Sequence, residues 1–183
     1  AEGQWFDGDN VRFRYGSPEK IGGWEQLGGD KLTGAGRAIH NWNNNINEKY
    51  SAIGTNRILY VYSEGAFYDI HPIRVTITGA NFTSTSGSAT VTVTASSAVH
   101  GLEEDDIVMF DSVSGLSGST FTDATFEDQK FMVTSVVSSN SFTITMATTE
   151  SGTALTNAGS ASILCYYSVG PSIQQSGFGW GTG

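Results

Sequence analysis

A short alternating stretch, Ala89-Thr90-Val91-Thr92-Val93-Thr94, decides the fold. Apolar and hydroxyl side chains take turns at every position, and this period of two is typical of a β-strand with one buried face. It is the clearest strand signal in the chain. We therefore predict a strand here, and the segments around it indicate the fold class.

Five neighbouring segments are rich in β-branched or aromatic residues and are bounded by Gly, Ser or Asn, which predicts five further strands. The polar connection 138–140 is typical of a hairpin. Six short strands with turn signals favour a small barrel or sandwich. The five segments are 74–78, 107–111, 130–137, 141–146 and 160–167.

The first 74 residues are also β-like, with aromatic residues on the strands and glycines between them. Close-set strands with Gly-rich turns favour a sheet-built or propeller-like unit. No segment carries the period of an amphipathic helix, so we predict an all-β protein. The strand candidates here are 10–14, 37–42, 50–53, 58–63 and 66–70.

Composition changes near residues 75 and 163. Between them Ser and Thr supply 33 of 89 positions, and Trp and Pro are absent. Residues 75–183 carry Lys130 alone against nine acidic residues, a balance of −8, whereas residues 1–74 are near neutrality at −1. These shifts predict three parts, 1–74, 75–163 and 164–183, with the middle part a domain of its own.

The charge and the apolar runs exclude some functions. At a net charge of −9, the acidic second part is a poor binder of DNA, because nonspecific binding needs Lys and Arg to neutralise phosphates. The apolar runs are far shorter than the roughly 20 residues of a membrane helix, so no membrane segment is predicted. Cys165 is the single cysteine, and we expect it to be a small buried hydrophobe.

The motifs that could carry chemistry have simpler interpretations. The glycine-rich loop 28–36 lacks a phosphate-binding lysine, and turns explain it better. The acidic run 103–106 would point its carboxylates to alternate sides, so we interpret it as an exposed turn in which Asp106 bonds to the backbone. The three histidines have no ligand or triad spacing. These histidines are His40, His71 and His100. We predict no catalytic residue, no cofactor and no metal site.

Aromatic and basic residues are interleaved in residues 5–15, a pattern that suits stacking on single-stranded nucleic acid. Asp7, Asp9 and Glu19 cancel the local charge, however. We interpret the segment as a strand that buries its aromatic residues on one face and exposes Arg12 and Arg14 to acidic partners.

Residues 5–24, WFDGDNVRFRYGSPEKIGGW, resemble the opening of tail nozzle proteins of short-tailed bacteriophages, also called tubular tail or packaged-DNA stabilisation proteins. A second similar block is IGTNR at 53–57, followed by Tyr60 and by FYDIHPIR at 67–74. The end, GFGWGTG at 177–183, looks like the place where such proteins continue. The middle part is similar to small β-domains of phage tail and baseplate proteins, through the strand from Ala89, the HGL of 100–102 and the segments around 106–110 and 131–144.

This resemblance implies a non-enzymatic function in the virion tail. Six or twelve copies would form a ring that continues the tail below its adaptor and retains the packaged genome until ejection, with DNA passing only transiently. Residues 1–74 and 164–183 would form the nozzle body, and 75–163 an outward-facing insertion. Family members have residues before the first block and a long continuation, so we expect this chain to be a piece of a longer protein.

Ring contacts are expected in the first 74 residues, where nearly all Arg and Trp lie, since both residue types are enriched at interfaces. Arginine holds carboxylates in a fixed bidentate geometry. The alternatives are a receptor- or glycan-binding module of a tail fibre or adhesin and, third, a glycan hydrolase with paired carboxylates on separate loops. The predicted interface residues are Arg12, Arg14, Trp24, Arg57 and Arg74.

We predict that residues 75–163 fold alone. The joint shifts in Trp, Pro, Ser/Thr and charge indicate a separate module, so the isolated segment should show one cooperative transition in thermal unfolding followed by circular dichroism. A segment that stays disordered while the intact chain folds would contradict the boundaries.

Overall fold

A computed structural model describes residues 10–23, 31–96 and 98–169. Within them the chain forms twelve strands and one helix of four residues, α1 (Asp123–Phe126), so the predicted all-β class is confirmed. None of the described helical residues belongs to a helix long and apolar enough to cross a membrane. The strands are β1 (Val11–Arg14), β2 (Ser17–Lys20), β3 (Gly36–Asn43), β4 (Lys49–Thr55), β5 (Leu59–Ser63), β6 (Ala66–Asp69), β7 (Ile73–Ser84), β8 (Thr90–Ala95), β9 (Ile107–Ser114), β10 (Lys130–Ser138), β11 (Ser141–Thr145) and β12 (Ala158–Tyr166).

Strands β7 to β12 form a closed barrel in the order β10-β11-β8-β7-β12-β9, with every neighbouring pair antiparallel. β12 lies beside β9, which is followed by β10 and β11, the order of a Greek key. β12 closes the barrel because it pairs with β7 on one side and with β9 on the other. Closure leaves no free sheet edge in this unit.

The alternating stretch becomes β8, and its pattern fills the barrel. Val91, Val93 and Ala95 have no exposed surface, whereas the threonines between them are at least partly exposed. The buried side chains meet a cluster of phenylalanines, in which the rings of Phe82 and Phe126 lie 4.4 Å apart. Burial of each of these valine and phenylalanine side chains stabilises the fold by roughly 1.5–3 kcal/mol.

Two elements of the barrel differ from the sequence expectation. β7 runs to Ser84, well past the predicted end at 78. Gly79, which has a φ of +75°, interrupts the alternating pattern midway, and for this reason the second half of the strand was not predicted. Helix α1 was not predicted, since four residues are too short to show a helical period. It is nonetheless part of the core, because it holds Phe126 with no exposed surface.

Strands β3 to β6 form a separate four-stranded antiparallel meander. The predicted Gly-rich sheet takes this form. Four antiparallel strands are the size of one propeller blade, and the propeller-like arrangement stays a prediction.

The remaining strands form a hairpin, β1–β2, that starts close to the predicted strand 10–14. Its turn residues Tyr15 and Gly16 have φ values of 51° and 83°. Two successive positive φ values are typical of the type I′ turn, whose twist matches that of the flanking strands. β2 was not predicted, because Pro18 and the charges around it do not resemble a strand.

The barrel begins and ends at neighbouring positions, because Ile73 pairs with Tyr166. Adjacent ends are common in domains that are inserted into another unit. β12 continues to Tyr166, three residues beyond the predicted boundary at 163. The domain boundaries and the independent folding of 75–163 stay predictions.

One buried carboxylate connects three loops of the barrel. Glu150 is 1% exposed and accepts hydrogen bonds from the backbone N–H groups of Thr120 and Gly152, both at 2.9 Å. The hydroxyls of Ser84 and Ser119 donate to the same carboxylate. Burial raises the pKa of Glu150, but these hydrogen bonds outweigh burial and lower the pKa to about 2.

We expect Glu150→Gln to destabilise the chain by roughly 2 kcal/mol at neutral pH, because an amide cannot accept all four donors. The folded pKa of about 2 lies below the unfolded value of 4.5, so this carboxylate stabilises the fold above the unfolded pKa and the contribution is lost as pH falls through the folded pKa. The difference in free energy of unfolding between the unaltered chain and Glu150→Gln should therefore become smaller on acidification. Guanidinium unfolding of both chains at several pH values measures this difference. Equal midpoints at neutral pH would contradict a stabilising role of the Glu150 carboxylate.

Candidate interaction site

The β3–β6 sheet has two unlike faces, because successive side chains of a strand point to opposite sides. The register places Ile53, Tyr60 and Phe67 on one side, which we call the inner face. This face packs on the outside of the barrel in a small second core that also contains Ile58. The barrel residues of that core are Ile107, Met109 and Tyr166.

Polar contacts hold the inner face in place. The carboxylate of Asp69 accepts a hydrogen bond from the Tyr166 hydroxyl at 2.9 Å and lies 3.0 Å from Lys130 Nζ. Burial and the hydrogen bond to Asp69 raise the pKa of Tyr166. At a second point Arg57 donates to the Asp105 carbonyl at 2.6 Å and lies 3.3 Å from its carboxylate. Two charged contacts and an apolar cluster thus fix the sheet on the barrel.

The opposite side of the sheet, which we call the outer face, carries an open groove of about 450 Å³. Its apolar lining includes Trp42 and Tyr68, which are 38% and 53% exposed. Two carboxylates, Glu48 and Glu64, also line it. The remaining apolar lining residues are Tyr50, Val61 and Ile70.

The aromatic wall of the groove is ordered by stacking. The ring of Trp42 lies 5.5 Å from that of Tyr50, with 17° between their planes, and 6.0 Å from that of His40. The carboxylate of Glu48 accepts from Tyr50 at 2.9 Å and from Asn44 at 2.6 Å. The first of these bonds, to Glu48, raises the pKa of Tyr50. The groove therefore presents flat apolar rings and a positioned negative charge side by side.

The four predicted interface residues that the structure describes do not lie together. Arg12 and Arg14 are exposed on β1, where Arg12 is paired with Glu19 at 3.0 Å. The expected burial of the aromatic residues here was wrong, because Phe13 and Tyr15 are 59% and 97% exposed on a hairpin of only two strands. Arg57 contacts Asp105, as described above. Arg74 donates to the carbonyl of His100 at 2.8 Å, and Trp24 lies outside the described residues. The role of all five at an interface stays a prediction.

The histidines are also apart, and each has a structural contact. The Leu102 N–H donates to His100 Nδ1 at 2.9 Å, so Nε2 carries the proton that it donates to the Ser138 carbonyl at 3.0 Å. His71 Nε2 lies 2.8 Å from the Tyr167 carbonyl at the end of the barrel. His40 belongs to the aromatic stack of the groove.

The acidic run 103–106 forms the predicted turn, in which the Asp106 carboxylate accepts from the Glu103 N–H at 2.9 Å. Three other carboxylates, of Asp111, Glu127 and Asp128, come within 4.8 Å of one another. Glu127 is engaged there by the backbone N–H groups of Ser112 and Val113, which accounts for its position without an ion. Cys165 has no exposed surface, as expected, and burial raises its pKa to about 11.

Sequence reasoning did not identify the groove. Its residues come from four β-strands and the turns beside them, and only the pairing of those strands brings them together. A signal was present within each strand, since Trp42, Tyr50 and Tyr68 all occupy outer-face positions of their strands. The relative register of the strands was not available from the pattern.

No family model matches the chain, and no curated protein matches it. Among solved structures, the phage phi92 endosialidase is similar over 71% of this chain and 18% of its own, at 22% identity and a TM-score of 0.37. The matched part is thus a small fraction of the endosialidase chain.

We expect Asp69→Ala to destabilise the chain by roughly 2–3 kcal/mol, because the Tyr166 hydroxyl and Lys130 ammonium would both lose their acceptor. Urea unfolding followed by tryptophan fluorescence measures the change. Glu104→Ala, which removes an exposed carboxylate of the barrel, is the matched control and should stay within about 0.5 kcal/mol. Equal effects of the two substitutions would show that Asp69 does not join the two units.

Proposed function

We propose that this chain is a non-enzymatic structural component of the tail of a short-tailed bacteriophage, in which copies form part of the nozzle ring. The observation that carries the proposal is where the nozzle-like sequence blocks lie. In the described residues they form the β1–β2 hairpin and strands of the β3–β6 sheet. These two elements and the segments beside them hold nine of the seventeen large hydrophobic residues that are exposed in the described part of the chain, although they are less than half of it.

The sheet is incomplete as an isolated unit, and this supports assembly. All eight residues of β3 are exposed, including Ile39 at 66%, and β3 is an edge strand. Exposed edge strands and apolar patches mark surfaces that another chain covers. The barrel, by contrast, is closed and internally packed. Ring contacts therefore fall on the hairpin and the sheet.

The charge distribution supports the same arrangement. Residues 75–183 have a balance of −8, and copies of such a surface around one axis repel each other. The barrel accordingly lies away from the ring contacts, as an outward-facing insertion. An acidic surface also gives DNA no phosphate-binding sites, so the genome passes the ring without being held by the barrel.

A second candidate function, a receptor- or glycan-binding module, is favoured by the groove on the outer face. Flat aromatic rings beside a few positioned polar groups are typical of small-ligand sites. Carboxylates such as Glu48 accept hydrogen bonds from sugar hydroxyls, and their negative charge favours neutral over acidic sugars.

We expect the purified chain to assemble into a closed homo-oligomer, with six or twelve copies as the family resemblance implies. Native mass spectrometry over a range of concentrations measures the copy number. Immunogold labelling of particles from the source phage is the companion measurement, with label expected on the tail. Monomers at every concentration together with particles that carry no label would contradict the proposal.

A further inference from the structure

The tip of the β1–β2 hairpin is an apolar and cationic projection. Tyr15 is 97% exposed, and the guanidinium carbon of Arg14 lies 5.7 Å from the centre of its ring. Arg12 on the same strand is already paired with Glu19. Within the described ranges Arg14 forms no ion pair, so its charge is available to a carboxylate elsewhere.

The outer-face groove has the complementary character. Of the eight residues that line it, two are acidic and none is basic. Its volume of about 450 Å³ is within the range of roughly 300–1,000 Å³ that pockets for small ligands span, so it can take the end of a two-residue turn. Asn44 and Tyr50 hold the Glu48 carboxylate in place before any ligand arrives, which reduces the ordering cost of binding.

We infer that the hairpin tip of one copy docks into the outer-face groove of a second copy. Arg14 faces the carboxylates of Glu48 and Glu64, and Tyr15 packs against the rings of Trp42 and Tyr68. Tyrosine and arginine are the residue types that most often dominate interfaces when they enter such a pocket, and opposite charges on the two surfaces select the partner. This inference rests on the proposed ring, of which it describes one contact.

The contact is heterologous, because the tip and the groove are different surfaces of the same chain. Each copy that donates a tip still offers its own groove to the next copy. Repetition of a heterologous contact gives a ring when the rotation closes. In one copy Tyr15 is almost fully exposed, so the tip does not occupy the groove of its own chain.

Charge reversal tests the contact in the full chain by sedimentation velocity. Arg14→Glu and Glu64→Arg should each weaken association about thirtyfold or more, as loss of a dominant interface residue does. The chain with both substitutions should regain association, because the opposite charges are restored in exchanged positions. Lys20→Glu, on the other face of the hairpin, and Glu104→Arg, on the barrel, are the matched controls and should associate like the unaltered chain.

Disulfide trapping locates the contact directly. Cys165 is buried, so it does not compete with introduced cysteines for disulfide formation. Ser17→Cys, opposite Arg14 in the hairpin, should form a covalent heterodimer when mixed with Ala66→Cys beside the groove. It should form none with Ala147→Cys on the barrel, which is also exposed.

The outcomes separate this inference from the proposed function. If the unaltered chain forms a ring that neither reversal weakens and no heterodimer is trapped, hairpin docking is overturned and the ring stands. If the unaltered chain is monomeric at every concentration, docking is overturned, and the ring fails with it when the particles also carry no label. If instead Trp42→Ala abolishes retention on immobilised dextran while both reversals leave association unchanged, the groove is a glycan site and docking is overturned.

Discussion

The packing of the β3–β6 sheet on the barrel centres on one shared carboxylate, that of Asp69. Asp69 lies at the end of β6, the last strand of the sheet. Its carboxylate accepts a hydrogen bond from the Tyr166 hydroxyl and forms an ion pair with Lys130. Tyr166 and Lys130 belong to two different strands of the barrel, β12 and β10. Lys130 is the only basic residue after Arg74. The single Lys or Arg of the acidic part of the chain therefore lies at the junction between the barrel and the sheet, where it pairs with a carboxylate of the sheet.

The junction determines which surfaces remain open. The barrel covers the inner face of the sheet at β4, β5 and β6, and it leaves the outer face and all of the edge strand β3 exposed. The barrel closes all its edges through β12, so it offers no strand for pairing with another chain. The barrel also exposes apolar side chains, such as Val136 and Val137, but of these two units only the sheet presents an unpaired edge strand beside them. This difference supports the proposal that the sheet rather than the barrel makes the contacts between copies.

The sequence predicted what depends on local pattern. The alternating residues 89–94 predicted β8 with the correct buried face, and the all-β class followed from similar segments. Elements whose pattern is interrupted or too short were not predicted, such as the second half of β7 after Gly79, β2 and α1. The groove could not be predicted either, since it needs the register of four strands, and register is set by contacts between distant segments. Trp42 and Glu64 became neighbours only through that pairing.

Electron cryomicroscopy of the particle from which this chain comes is the decisive measurement. We expect a closed ring in the tail, in which the hairpin and the β3–β6 sheet form the contacts between copies and the acidic barrel lies on the outside. A ring joined through the barrels, or the chain found only in fibres or detached spikes, would contradict it.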